Sequence, residues 1–235
     1  MNSATSNSMG QPESGALDPS IAASAWARGW AISRSTPAPV ERTGYFQILV
    51  GKPEQLTRYV FPRFDPDVLR QLVATEGGPG IWLKVCAPSQ DVSPLLSDDW
   101  TVHAPEFLMS VPLTASAGPV IAGYRVETER VGALVLAKIV ADSGELAASG
   151  QAAIDGAFAT FDQIVTSEAH RRKGLGRCVM AALSMACIDL GATHGVLVAT
   201  EAGAALYQAL GWAMVSPVTA ASVTVASCSA AAPAA

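Results

Sequence analysis

The residues best equipped for chemistry lie in Glu168-Ala169-His170-Arg171-Arg172-Lys173-Gly174-Leu175-Gly176-Arg177, which joins an apolar stretch ending at Thr166 to a helical one. An apolar strand that enters Arg171-x-x-Gly174-x-Gly176 and passes straight into a helix brings unpaired backbone N–H groups and a positive dipole end to one point. Such a point holds a phosphate. Glycines there let phosphate oxygens reach the amides, and Arg171, Arg172, Lys173 and Arg177 add mobile cationic cover. Other glycine-loop chemistries fail on spacing. Gly176 is followed by Arg177-Cys178 rather than the Lys-Ser/Thr of a P-loop, and Val179 stands where a dinucleotide fingerprint needs its third glycine. A basic helix entry that binds nothing is the competing reading of the loop taken alone.

Titratable groups elsewhere are less organised. Asp162 is the least expected residue in a strand otherwise rich in Phe, Ile and Val, and is a candidate base or amine-orienting group; capping a turn at a strand margin is the alternative. His170 sits beside the phosphate loop, where a surface or loop-packing role fits better. His103, His194, Asp98 and Asp99 have no spacing that links them. Cys86, Cys178, Cys187 and Cys228 are scattered without a CxxC pair or a nearby His, so no metal site is expected and the thiols read as buried and reduced.

The elements that must position these groups fall into two α/β regions. The first begins near Gly44. Tyr45 to Val50 alternates as a strand, a helix is expected over Asp67 to Ala74 between the Asp65-Pro66-Asp67 cap and Gly77-Gly78-Pro79-Gly80, and Ile81 to Cys86 and Phe107 to Leu113 read as strands. In the second, Tyr124 to Glu129, Val131 to Val140, Gly150 to Ile154 and Phe158 to Thr166 suggest an antiparallel meander. Val179, Leu183, Ala186 and Leu190 then recur at helical steps up to Gly191. Val196 to Ala199 is a short strand, Ala202 to Leu210 a second helix with Gly211 as its C-cap, and Trp212 to Val225 alternates like a terminal hairpin.

Composition bounds the partners. The chain has 235 residues, 50% hydrophobic and 15% charged, with a net charge of -5, enough for a sizeable core and without general attraction to nucleic acid or anionic membrane. A small neutral or cationic acceptor fits better. Residues 1–20 are Ser/Asn/Gly/Pro-rich without a basic or apolar targeting region and read as a disordered leader, and 227–235 as a disordered tail. No run of about 18 apolar residues suggests a membrane span, and a cytoplasmic location is expected.

Arg171, Gly174 and Gly176 match the Arg/Gln-x-x-Gly-x-Gly/Ala loop of the GNAT superfamily of N-acetyltransferases, and Leu206-Tyr207-Gln208-Ala209-Leu210-Gly211-Trp212 resembles the family's Leu-Tyr-x-x-Leu-Gly-Phe ending. The resemblance covers about residues 118–226. It implies an α+β fold: a central mixed, mostly antiparallel sheet flanked by helices, with residues 116–226 as the acetyltransferase domain. Residues 21–115 form a preceding α/β region that is either a degenerate second copy or a lid. The resemblance further implies acetyl-coenzyme A as co-substrate, without a metal. Ile164, Val165 and Thr166 would line a splayed strand that receives the pantetheine arm, and Arg171 to Arg177, Leu175 included, would hold the pyrophosphate. Tyr207 would contact the coenzyme and act as general acid. Thr200 stands where many relatives have a coenzyme-contacting asparagine.

Amine acetylation needs one base and one acid, so direct attack in a ternary complex is expected rather than an acetyl-cysteine. A small-molecule or amino-acid-like amine is the expected acceptor. A protein amine, a longer acyl-coenzyme A or a non-catalytic acyl-coenzyme A sensor are the rivals, and a homodimer is a possible assembly.

Overall fold

The computed structural model describes residues 17–223. Most of the segment expected to be a disordered leader, and all of the expected tail, lie outside these residues. The first element is one that the strand and turn signals do not mark: α1 (Pro19–Ser33) starts on Asp18, whose carboxylate accepts from the Ser20 and Ile21 amides, with Pro19 at the first helical position. The leader expectation is therefore corrected at its end, since Pro19 and Ser20 are already helical. Ala22, Ala23, Ala25, Trp26, Ala27, Trp30 and Ala31 are all buried, and only a narrow half-buried stripe of Ser20, Ser24 and Arg28 is polar, so α1 has little periodic contrast for a sequence reading to detect.

In the first half, β1 (Val40–Arg42), β2 (Tyr45–Lys52) and β3 (Gln55–Phe61) are antiparallel neighbours, and α2 (Pro66–Thr75) crosses to β4 (Ile81–Val85), which runs parallel to β3. A short α3 (Ser89–Val92), β5 (Trp100–Val102) and β6 (Glu106–Pro112) follow. The second half opens with the expected meander, β7 (Tyr124–Val131), β8 (Leu134–Ala141), β9 (Leu146–Asp155) and β10 (Phe158–Thr166). Then α4 (Leu175–Asp189) crosses to β11 (His194–Thr200), parallel to β10, and α5 (Glu201–Gln208) leads to β12 (Ala213–Val223). Both halves thus run through an antiparallel pair, a crossover helix and a strand parallel to the one before it.

The halves share one sheet in the order β1-β2-β3-β4-β12-β6-β11-β10-β9-β8-β7, with β5 also on β12. β6, from the first half, lies between β11 and β12; β12, from the second, lies against β4. A boundary at residue 115 therefore separates chain segments that exchange strands. The expected terminal hairpin is instead one strand of 11 residues, whose register shift between Met214 and Ser216 lets its ends serve different neighbours. On one face, Val179 and Leu183 of α4 and Ala204 of α5 pack with Met109, Phe161 and Leu197 of the sheet. On the other, α1 spans both halves, its Trp26 and Trp30 packing with Ile48, Val60, Leu108, Val196 and Val218. Burying each tryptophan contributes roughly 4 kcal/mol at the usual value per unit area.

Candidate active site

β10 and β11 pair only through Phe158↔His194, Ala159↔Gly195 and Thr160↔Val196. Beyond that point β10 stays with β9 as far as Thr166↔Ala148, while β11 stays with β6 as far as Thr200↔Glu106. The two parallel strands therefore part in the middle of the sheet and leave backbone groups facing a gap. A bulge between Asp162 and Val165, with Gln163 at a φ of 55°, bends β10 away from its neighbour. Ile164 packs into the core under α4, Val165 is 58% exposed, and Thr166 ends the strand beside the loop. The three residues assigned to the splay thus lie along the parted edge.

The loop after β10 makes a single 3-10 turn over Glu168–His170 and reaches α4 through Arg172 at a φ of 63° and Gly174 at 78°. Gly174 caps α4 without any side chain, so the Leu175 and Gly176 amides point out unclaimed, while the Arg177 amide donates back to the Gly174 carbonyl at 3.1 Å. A Cβ at Gly176 would lie 3.3 Å from Leu206 Cδ2 of α5 and 4.0 Å from Thr166 Oγ1, so the glycine keeps the cradle open between both helices and the end of β10. Leu175 is buried and anchors the turn, whereas Arg171, Arg172, Lys173 and Arg177 are exposed around it. The loop is braced from below. His170 is buried, its Nδ1 lies 2.8 Å from the Tyr124 hydroxyl, and Lys173 Nζ donates to that hydroxyl at 3.1 Å. His170 Nε2 lies 3.2 Å from a Glu145 carboxylate oxygen but out of line for a hydrogen bond. This is the loop-packing role expected of His170.

The corresponding turn in the first half is closed to anions. Asp65 accepts from the Asp67 and Val68 amides at the start of α2, and Pro66 has no N–H. Among the described residues, then, only the second crossover helix keeps an open, cationic entry.

Tyr207 lies on α5, its ring 5.9 Å from that of Trp212 and packed against the core. Burial, and secondarily the negative charge of Asp162, push its hydroxyl up to about 12, so it is a protonated donor at neutral pH. Thr200 is the N-cap of α5, its Oγ1 accepting from the Gly203 amide at 3.3 Å, which leaves its hydroxyl hydrogen free. Asp162 differs from the role expected of a base. Arg34 of the residues following α1 grips it through Nε and Nη2 at 2.5 and 2.9 Å, Ser33 Oγ donates at 2.6 Å, and the Gln163 amide donates at 2.9 Å. Both oxygens are committed, so a carboxylate that must accept a proton is instead a clamp fastening α1 to the bulge. Burial also drives the Cys187 thiol to about 12 and raises that of Cys178, which removes thiolate character from both helical cysteines.

Four charged residues that sequence reasoning passed over sit on the α1 side of the gap. Arg34 and Asp162 form one pair, Lys84 and Glu106 another, and Arg58 stacks on Trp30 with its guanidinium carbon 3.8 Å from the ring centre. The signal was available in period two. Arg58 stands between inward-facing positions of β3, and Lys84 between the buried Leu83 and Val85 of β4.

The comparisons agree with this geometry. The sequence model of the Acetyltransferase (GNAT) family matches residues 91–212. Among solved structures, the fold is similar to that of a GCN5-related N-acetyltransferase from Kribbella flavida, at 18% identity and a TM-score of 0.65 over 88% of this chain and 96% of that one. It is also similar to a GNAT-family protein from Novosphingobium aromaticivorans, at 15% identity and a TM-score of 0.58 over 88% and 100% of the two chains. A tandem GNAT protein from the clavulanic acid biosynthesis pathway is 13% identical, with a TM-score of 0.50 over 75% and 77%. No curated protein sequence matches. With more than half of its length matched by the family model, and with the parted strands and glycine cradle in place, the chain belongs to the GNAT acetyltransferase family.

Proposed function

We propose that the chain transfers an acetyl group from acetyl-coenzyme A to the amine of a small molecule or amino-acid-like acceptor, by direct attack in a ternary complex. The observation that carries this reading is the strand gap flanked by the Gly174–Gly176 cradle on one side and the protonated Tyr207 on the other. The residues present fit the coenzyme: free amides and four cations suit its diphosphate, and the unpaired edge of β10 suits the amides of its pantetheine arm. Bound there, it would supply an activated thioester and a thiolate leaving group. Arg171, Arg172, Lys173 and Arg177 neutralise phosphate charge, Gly176 lets the oxygens reach the amides, and the backbone of Ile164 to Thr166 fixes the arm. The Tyr207 hydroxyl donates its proton to the departing sulfur. With Asp162 fully occupied, water is left to carry the amine proton away.

The test is a screen of small amines, amino acids and peptides for release of free coenzyme A, beside melting measurements with acetyl-coenzyme A. The coenzyme should raise the melting temperature by binding only the folded state. Gly176→Glu should abolish that shift while leaving far-ultraviolet circular dichroism intact, because the one tight neighbour of its Cβ is the flexible end of Leu206. A shift that survives in Gly176→Glu would refute the cradle. A shift without turnover of any amine would leave a sensor, and turnover only on protein amines would move the acceptor class.

A further inference from the structure

The charges beneath the C-terminal end of α1 do not balance. Arg34 is matched by Asp162 and Lys84 by Glu106, but Arg58 has no carboxylate of its own. Only 8% exposed, it donates from Nη2 to the neutral Gln55 Oε1 at 3.2 Å, and its Nε is buried without a partner. Three cations and two carboxylates leave one buried positive charge over. A guanidinium so placed is strongly disfavoured unless an anion joins it, because desolvation is not offset by Gln55 or by the face of Trp30. Burial brings Arg58 down to about 10, so it is still charged at neutral pH.

This row borders the strand gap. Asp162 stands at the bulge of β10 on one side of the opening, and on the other Glu106, the first residue of β6, is the rung partner of Thr200 at the end of β11. The coenzyme cradle lies toward α4 and α5, leaving the α1 face for the acceptor. Arg34, one-third exposed, is the solvent end of the row.

Building on the acetyltransferase reading, we propose that Arg58 is a carboxylate subsite for the acceptor, which is therefore an amine that also carries a carboxylate group. The surplus is one charge, which a carboxylate cancels, whereas a phosphate would overshoot with nearly two. Before attack the amine must be neutral, so the carboxylate is the charge that remains on the acceptor. Arg58 belongs to β3, which makes the first half of the chain the source of acceptor specificity.

The experiment is a thermal-shift titration of the full chain, saturated with coenzyme A, using free amino acids and dipeptides against their carboxamides. The acids should stabilise the protein at concentrations about 10- to 100-fold lower than the amides, the discrimination expected of a hydrogen bond to a charged group. Arg58→Gln should erase that preference, and Arg58→Lys should keep part of it. If Arg58→Gln does not fold, the wild-type preference and its reduction in Arg58→Lys decide the matter. Equal stabilisation by acids and amides, no stabilisation by either, or an undiminished preference in Arg58→Gln or Arg58→Lys would overturn the subsite. The shift given by coenzyme A on the same samples is read separately. Its loss in the wild type defeats the acetyltransferase reading, whereas its presence without carboxylate preference defeats only the role of Arg58.

Discussion

Tyr207 is the residue on which catalysis and packing make opposite forecasts. Its ring contacts Trp212, but among the described residues no hydrogen bond engages its hydroxyl, so phenylalanine keeps the packing and removes only a proton donor. Tyr207→Phe should lower kcat by about 10²-fold, the scale of general acid catalysis, leave coenzyme affinity nearly unchanged, and alter stability by less than about 0.5 kcal/mol. Unchanged kcat, with chemistry shown to be limiting, would remove the hydroxyl from the mechanism. The raised ionisation of Tyr207 adds a second readout. Below pH 10 the phenol is neutral both folded and unfolded; between about pH 10 and 12 the unfolded chain ionises while the folded one resists. Stability should thus fall as pH rises through that window, and by less in Tyr207→Phe, as denaturant titrations at several pH values would show. The cradle was legible in the sequence because Gly174 and Gly176 answer to backbone geometry that few loops require. The joint role of Arg58, Lys84 and Glu106 was not: a charge among apolar strand positions marks Arg58 and Lys84 singly, but the charge balance exists only once three separate strands lie together under α1.

At the scale of elements, α1 depends on one close approach. A Cβ at Gly29 would stand 2.0 Å from Thr160 Oγ1 and 2.4 Å from Thr160 Cβ, so the helix lies directly on β10 just where β10 and β11 begin to part. Alanine would gain about 1 kcal/mol of helix propensity, yet the clash involves the fixed stem of a side chain whose Oγ1 also bonds Ala25. Overpacking wins. Gly29→Ala should destabilise the chain by about 2 kcal/mol or more, and the penalty should largely vanish when Thr160→Gly is already present; equal penalties in both backgrounds would mean that the contact does not limit the packing. α2 and α4 could be read from helical spacing and the meander from its apolar runs between turns, although β9 and β10 are covered by helices on both faces. α1 could not, being buried over most of its surface and rich in small residues, and the hairpin expected after Trp212 failed because β12 changes neighbours at a bulge rather than turning back.

At the scale of the whole molecule, the exchange of β6 and β12 means that neither half closes its own sheet. A chain starting at Ala115 would lose α1 and β6, and with β6 the seven-rung partner of β11 from His194↔Pro112 to Thr200↔Glu106. β12 would lose β4 and β6 together, leaving a long apolar strand with no neighbour. The face under α1 would expose Val196 and Val218, and the gap between β10 and β11 would have nothing to hold its far wall in place. Such a chain should aggregate or lack a cooperative melting transition, although it retains both sequence motifs of the family. Supplying the missing half separately should repair it, because the contacts at stake are sheet rungs and an apolar face rather than the covalent link at residues 113–123. Co-expressed chains of residues 1–114 and 115–235 should co-purify, melt as one unit and regain the shift with acetyl-coenzyme A, at a midpoint that rises with protein concentration as two-body assembly requires. A chain beginning at Ala115 that melted cooperatively and bound the coenzyme alone would show that the second half folds without the exchange, and would reduce the first half to an appendage.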